Sequence, residues 1–80
     1  MKLPRDLAGR VLAQALCKHW EYRVVHQVGS HIILETETPG HQRLPIPDHG
    51  SLRIGTLNAI LRLVSEHKGV ERQVILDSVK

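Results

Sequence analysis

Apolar positions along this 80-residue chain change period twice, from helical to alternating and back to helical. Between Ala8 and Lys18 the residues Val11, Leu12, Ala15 and Leu16 recur at the spacing that lines one face of a helix. Leu7 lies just ahead of this segment and Leu12 one turn inside it, a spacing that suits a hydrophobic staple. Ala8 offers no capping oxygen, so the first turn is expected to fray. Trp20 to Gln27 favours a strand through Tyr22, Val24 and Val25, and Gly29 supplies the backbone for a hairpin turn. Ser30 to Thr36 reads as the second strand. Thr38-Pro39-Gly40-His41 has proline and glycine at the central positions of a type II turn. The third strand, Gln42 to Pro47, contains Pro45, which has no amide hydrogen to donate, and so belongs at a sheet edge.

After a loop over Asp48 to Arg53, the pattern Leu57, Ile60, Leu61, Val64 predicts a helix from Gly55, stopped at Gly69. Val70, Val74, Ile75 and Val79 support a short last helix, with Lys80 at its end. Met1 to Asp6 is a polar arm. The order α-β-β-β-α-α describes one domain over residues 1–80: an α+β fold with a three-stranded antiparallel sheet covered by helices on a single face. If Ile32 and Leu34 face those helices, alternation turns His31, Ile33 and Glu35 to the open face.

Composition narrows the function. Apolar residues make up 41% of the chain, and Trp20 and Tyr22 are the only aromatics. Base-stacking platforms for single strands use several aromatics, so that binding mode is disfavoured. Eleven Lys/Arg against eight Asp/Glu give a net charge of +3, a mild preference for anionic partners, and six histidines raise the positive field once partly protonated. Cys17 is alone, which excludes an internal disulfide and a thiolate metal site; it is expected near the core edge of the first helix. No leader-like or membrane-length apolar segment stands out, so a soluble, cytoplasmic protein without a membrane partner is expected.

Gly29-Ser30-His31, followed by Ile32-Ile33-Leu34, carries the strongest chemical signal. It places one imidazole at the start of a strand, just after a glycine turn, and histidine changes charge near neutral pH. The chain resembles the HicA, or YcfA-like, family of bacterial toxins. The resemblance rests on Val25, Gln27, Gly29-Ser30-His31 and Leu34, then on Arg43, Ile46-Pro47, His49 and Gly55-Thr56-Leu57 with Ile60-Leu61. These two blocks come in the family's order and span most of residues 7 to 79. Three features depart from it: no glycine ends the first helix around His19 to Glu21, Ala8 stands where a serine cap is common, and the chain continues past the second helix.

The resemblance implies a double-stranded-RNA-binding-like fold and a ribonuclease acting on mRNA, with His31 as its catalytic residue. It also implies a HicB-type antitoxin partner that covers the active face. RNA cleavage without a metal needs a base for the 2′-hydroxyl, an acid for the leaving 5′-oxygen and positive charge near the phosphate oxygens. His31 suits either proton-transfer role. Gly29, beyond making the turn, leaves room for a phosphate, and Ser30 and His49 are candidate supporting groups. His26 is a candidate neighbour of His31 across the hairpin. Gly55 and Thr56 open a helix whose free amides suit an anion, and Arg43 and Arg53, close in sequence, are expected to add charge there. The histidines lack ligand spacing, so neither a metal nor another cofactor is expected. Two further classes stand beside the enzyme: a non-catalytic RNA-binding module, and a protein-binding domain whose exposed Ile33 marks the antitoxin surface.

Overall fold

The computed structural model describes residues 2–79. Helix α1 (Gly9–His19) leads into strands β1 (Arg23–Val28), β2 (His31–Thr36) and β3 (Gln42–Pro47), followed by helices α2 (Ile54–Lys68) and α3 (Arg72–Asp77). The strands form one antiparallel sheet in the order β1-β2-β3, which puts the proline-bearing β3 at an edge as its sequence requires. The helices cover one face, and the core between the layers is built from Leu12, Leu16, Leu34, Leu44, Ile46, Leu57, Leu61 and Ile75, all nearly inaccessible. Among the described residues no helix is long and apolar enough to cross a membrane.

In α2 the buried residues are Leu57, Ile60, Leu61 and Val64, the stripe that the periodicity predicts, and Gly69 closes the helix in the left-handed conformation at φ +70°. In α1 the expected stripe is turned by one residue. Gly9, Leu12, Ala13 and Leu16 are buried, while Val11 is 45% exposed. Contact with β3 sets this rotation: a Cβ at Gly9 would lie 1.8 Å from the carbonyl oxygen of Pro47, so only glycine can occupy the face pressed on the strand.

Leu7 and Leu12 take the staple positions, Leu7 partly buried against the core. Ala8 has the extended backbone of an N-cap but no side-chain cap (φ −75°, ψ 142°). Ala8→Ser is therefore expected to stabilise the domain by about 1 kcal/mol. In a thermal melt this reads as a rise in Tm of roughly 5 °C.

The exit of α1 accounts for one departure from the family pattern. Where a glycine is expected, Glu21 itself takes the left-handed conformation at φ +62°. Its carboxylate accepts a hydrogen bond from the Thr38 hydroxyl at 3.1 Å, which helps to hold a backbone geometry that side chains disfavour. Tyr22 follows, buried, with its hydroxyl donating to Gln42 Oε1 at 2.5 Å; burial pushes its pKa up to about 12. The β2–β3 connection is not the expected type II turn, because Gly40 does not take a positive φ. α3 is anchored by buried Ile75 and by Trp20 Nε1, which donates to Ser78 Oγ at 2.8 Å.

Candidate functional site

His31 opens β2. The turn before it is two residues long, with Gly29 at φ +57° and Ser30 outside the left-handed region, the pattern of a type II′ hairpin with glycine first. A Cβ at Gly29 would meet open space, so conformation, not crowding, selects glycine there. The His31 backbone is paired on both sides, with Val28 of β1 and Pro47 of β3. The Asp48 amide donates to the Ser30 carbonyl at 2.6 Å and extends the β2–β3 pairing by one step. The imidazole itself is exposed. Two other rings are engaged, His67 by the Gly40 carbonyl at 2.7 Å and His41 by Glu35 at 3.5 Å; among the described residues no such contact holds His31.

Around it, the open face is laid out by strand register. His31 lies between Val28 and Pro47, Ile33 between His26 and Pro45, and Glu35 between Arg23 and Arg43. An irregularity between Val24 and His26 shifts the β1–β2 register, with Val25 as the extra residue. The two-residue turn, not this bulge, puts Val28 opposite His31, so His26 is a diagonal neighbour of His31 across the hairpin. No glycine or proline signals this bulge in the sequence.

Ile33 also departs from expectation. It lies outside the core cluster, but at 9% exposure it is buried by its flanking strands and presents no apolar surface to a partner. A residue on the central strand has neighbours on both sides. The edge strand β1 carries three exposed apolar residues, Val24, Val25 and Val28, of which Val28 is paired with His31, and Ile54 at the start of α2 is exposed as well.

The His31 end of the sheet gathers several segments. The Gly9 amide donates to the His49 carbonyl at 2.9 Å, and the Leu52 amide to the Leu7 carbonyl at 2.8 Å, so the start of α1 and the loop after β3 run side by side. Arg10 reaches Asp48 at 2.7 Å, and its hydrogen bond holds the Asp48 carboxyl below the usual carboxylate range. Nothing local in the sequence points to this pair, whose members are 38 residues apart. His49 is exposed beside it.

α2 begins at the same end, because its last residue, Lys68, is fixed at the opposite end by bonds to Thr36 Oγ1 at 2.9 Å and the Thr38 carbonyl at 2.6 Å. Its first intrahelical bond runs from the Leu57 amide to the Arg53 carbonyl, leaving the Gly55 and Thr56 amides ahead of it without intrahelical acceptors. Neither α1 nor α2 carries an acidic residue in its first turn, so both helix dipoles turn positive ends toward this part of the molecule.

Arg43 does not join Arg53 there. It sits on the open face four residues of strand away from the His31 row, ~13 Å at ordinary strand rise. Sequence proximity misled because β3 runs extended between the two arginines. At that far end Glu35 is 3.6 Å from Arg43 and 3.5 Å from Arg23, while Glu37 is 3.2 Å from Arg23. Glu35, Glu37 and His41 also bring three ligand-type atoms within 4.8 Å of one another, a grouping not anticipated from sequence spacing. The two guanidinium groups already face these carboxylates, so a divalent cation placed there would meet like charge. The arrangement is a charge network.

Comparison with known proteins bears on what this exposed imidazole belongs to. No curated protein and no solved structure matches the chain. The family model described as "HicA toxin of bacterial toxin-antitoxin" matches residues 9–64, from the first turn of α1 to the last buried residue of α2. That span covers α1, the whole sheet and α2 as far as Val64, and leaves out residues 1–8, the last four residues of α2 and the α3 segment. The chain is a member of the HicA toxin family, the toxin component of a toxin–antitoxin system.

Proposed function

We propose that this toxin is an endoribonuclease that inhibits translation by cutting mRNA, with His31 as proton-transfer residue and a HicB-type antitoxin as its restraint. The observation that carries this reading is the placement of His31. Its backbone is locked between two strands while its ring stands unengaged in solvent, an arrangement suited to proton transfer with a ribose-phosphate. The 2′-hydroxyl gives up its proton as its oxygen bonds to phosphorus, and the leaving 5′-oxygen takes one up as the P–O bond breaks. His49 is the candidate for the second transfer. Ser30, its carbonyl already taken by Asp48, and Gly29 shape the turn beside the ring. The reading requires no metal in the step and predicts cleavage that persists in EDTA.

RNA backbone is held, in this reading, at the start of α2 through the Gly55 and Thr56 amides and the Arg53 side chain. Arg53→Ala is expected to weaken RNA binding and lower the slope of log K against log salt by about one, the signature of one lost phosphate contact. Arg43→Ala, which removes a partner of Glu35 far from His31, is expected to change the slope less. Filter binding over a salt series separates the two. The enzyme reading itself is tested by growth arrest and RNA cleavage with the wild-type chain against His31→Ala; RNA binding without cleavage by the wild type would favour a non-catalytic module.

A further inference from the structure

The two edges of the sheet are not alike. β3 presents Pro45 and Pro47, which cannot donate to a neighbouring strand. β1 has no proline and is exposed at all six residues, with Val24 at 56% and Val28 at 54%. Free edges of this kind invite pairing with another chain unless something covers them. Here α1 packs over β2 and β3, and α2 over β3, so neither helix closes over β1. Between α1 and β1 runs a groove of about 490 Å³, floored by Ile32 and walled by Val24 and Gln27 on one side and Ala13, Cys17 and Lys18 on the other. Its charged lining residues are Lys18 and Arg10, the latter paired with Asp48 at 2.7 Å, and no carboxylate lines the groove itself.

We infer that the β1 edge and this groove receive an extended acidic segment of the antitoxin, which adds a fourth strand to the sheet. Strand addition needs free main-chain groups along an edge and pockets for alternate side chains, and β1 with its groove supplies both. The bulge at Val25 confines regular pairing to His26–Val28, the stretch nearest the site. Charge selects the occupant: Arg10 is already paired with Asp48, but Lys18 has no carboxylate partner among the described residues, so a second copy would set one Lys18 against another, whereas glutamates or aspartates on the incoming strand complement it. Such a strand runs past Val28, whose partner across the sheet is His31, so whatever reaches over the face from this edge covers the imidazole. The inference rests on the antitoxin half of the proposed function and says where that partner docks.

Cys17 makes this testable, because it is the chain's one cysteine and it lines the groove. The full chain carrying His31→Ala is treated with iodoacetamide in the presence of a synthetic peptide alternating valine with glutamate, or the same peptide with lysine for glutamate. The acidic peptide is expected to slow Cys17 alkylation roughly tenfold at saturation, since thiol reactivity depends on access. It is also expected to shift the amide resonances of residues 26–28. Adding Val24→Lys and Val28→Lys, both at exposed positions, is expected to abolish protection while leaving the melting temperature in place. Absence of protection, equal protection by the lysine peptide, or a chain that sediments as a dimer through β1 would overturn the proposal. No cleavage is read in this assay, so its failure is separate from failure of the ribonuclease reading. A HicB-type antitoxin that neutralises the wild type and the Val24→Lys/Val28→Lys variant equally well would also overturn the docking site, and would leave the antitoxin reading standing.

Discussion

Alanine at position 31 is expected to lower RNA cleavage by at least about a hundredfold, the smaller end of what a positioned acid or base contributes. That corresponds to about 2.7 kcal/mol of transition-state stabilisation. The loss should leave the fold untouched, because the ring is exposed and its strand pairing is made by backbone atoms alone. Exposed substitutions away from special geometry usually change stability by less than about 0.5 kcal/mol. The thermal melt and the RNA affinity of His31→Ala are therefore predicted to match the wild type while cleavage and growth arrest disappear. Equal cleavage by both proteins would rule out His31 as the proton-transfer group.

Gly9→Ala is expected to do the reverse, removing the fold before the chemistry is reached. The added methyl would lie 1.8 Å from the Pro47 carbonyl oxygen and 3.0 Å from its carbon, both backbone atoms that no rotamer change can move aside. Relief requires α1 to lift from β3, which breaks the Gly9–His49 hydrogen bond and loosens the seating of Leu12 and Leu16. Overpacking of this severity is expected to cost about 3 kcal/mol or more. A domain of this size has a total stability of only roughly 4–12 kcal/mol. The expected drop in Tm is then roughly 12 °C or greater. An unchanged melt would show that α1 does not sit on β3 as described. Because the loop from Pro47 to His49 borders His31, a partly folded Gly9→Ala protein should also lose cleavage out of proportion to its folded fraction.

The contrast between these two positions shows what local pattern can reveal. His31 was legible because its surroundings are local: a glycine that accepts positive φ two residues earlier, then an alternating apolar run that decides which way each side chain turns. The α2 stripe and its glycine stop were legible for the same reason. Gly9 was not singled out, since its requirement comes from a strand nearly forty residues later. Arg10 and Asp48 were hidden likewise, and Arg43 was misplaced because an extended strand carries neighbours in sequence far apart in space.

By itself, the sequence determined the order of the six elements, the edge position of the proline-bearing strand, the turn at Gly29 and the outward direction of His31. Helical and strand periods and backbone preferences act within a few residues, and those features depend on nothing else. Tertiary structure alone decided the rotation of α1, the bulge at Val25, the burial of Ile33 and the exposure of β1. Each of these is set by which surfaces fit when distant segments meet: one Cβ too many at Gly9, one residue too many in β1, and two helices that cover the central and proline-bearing strands but not the third.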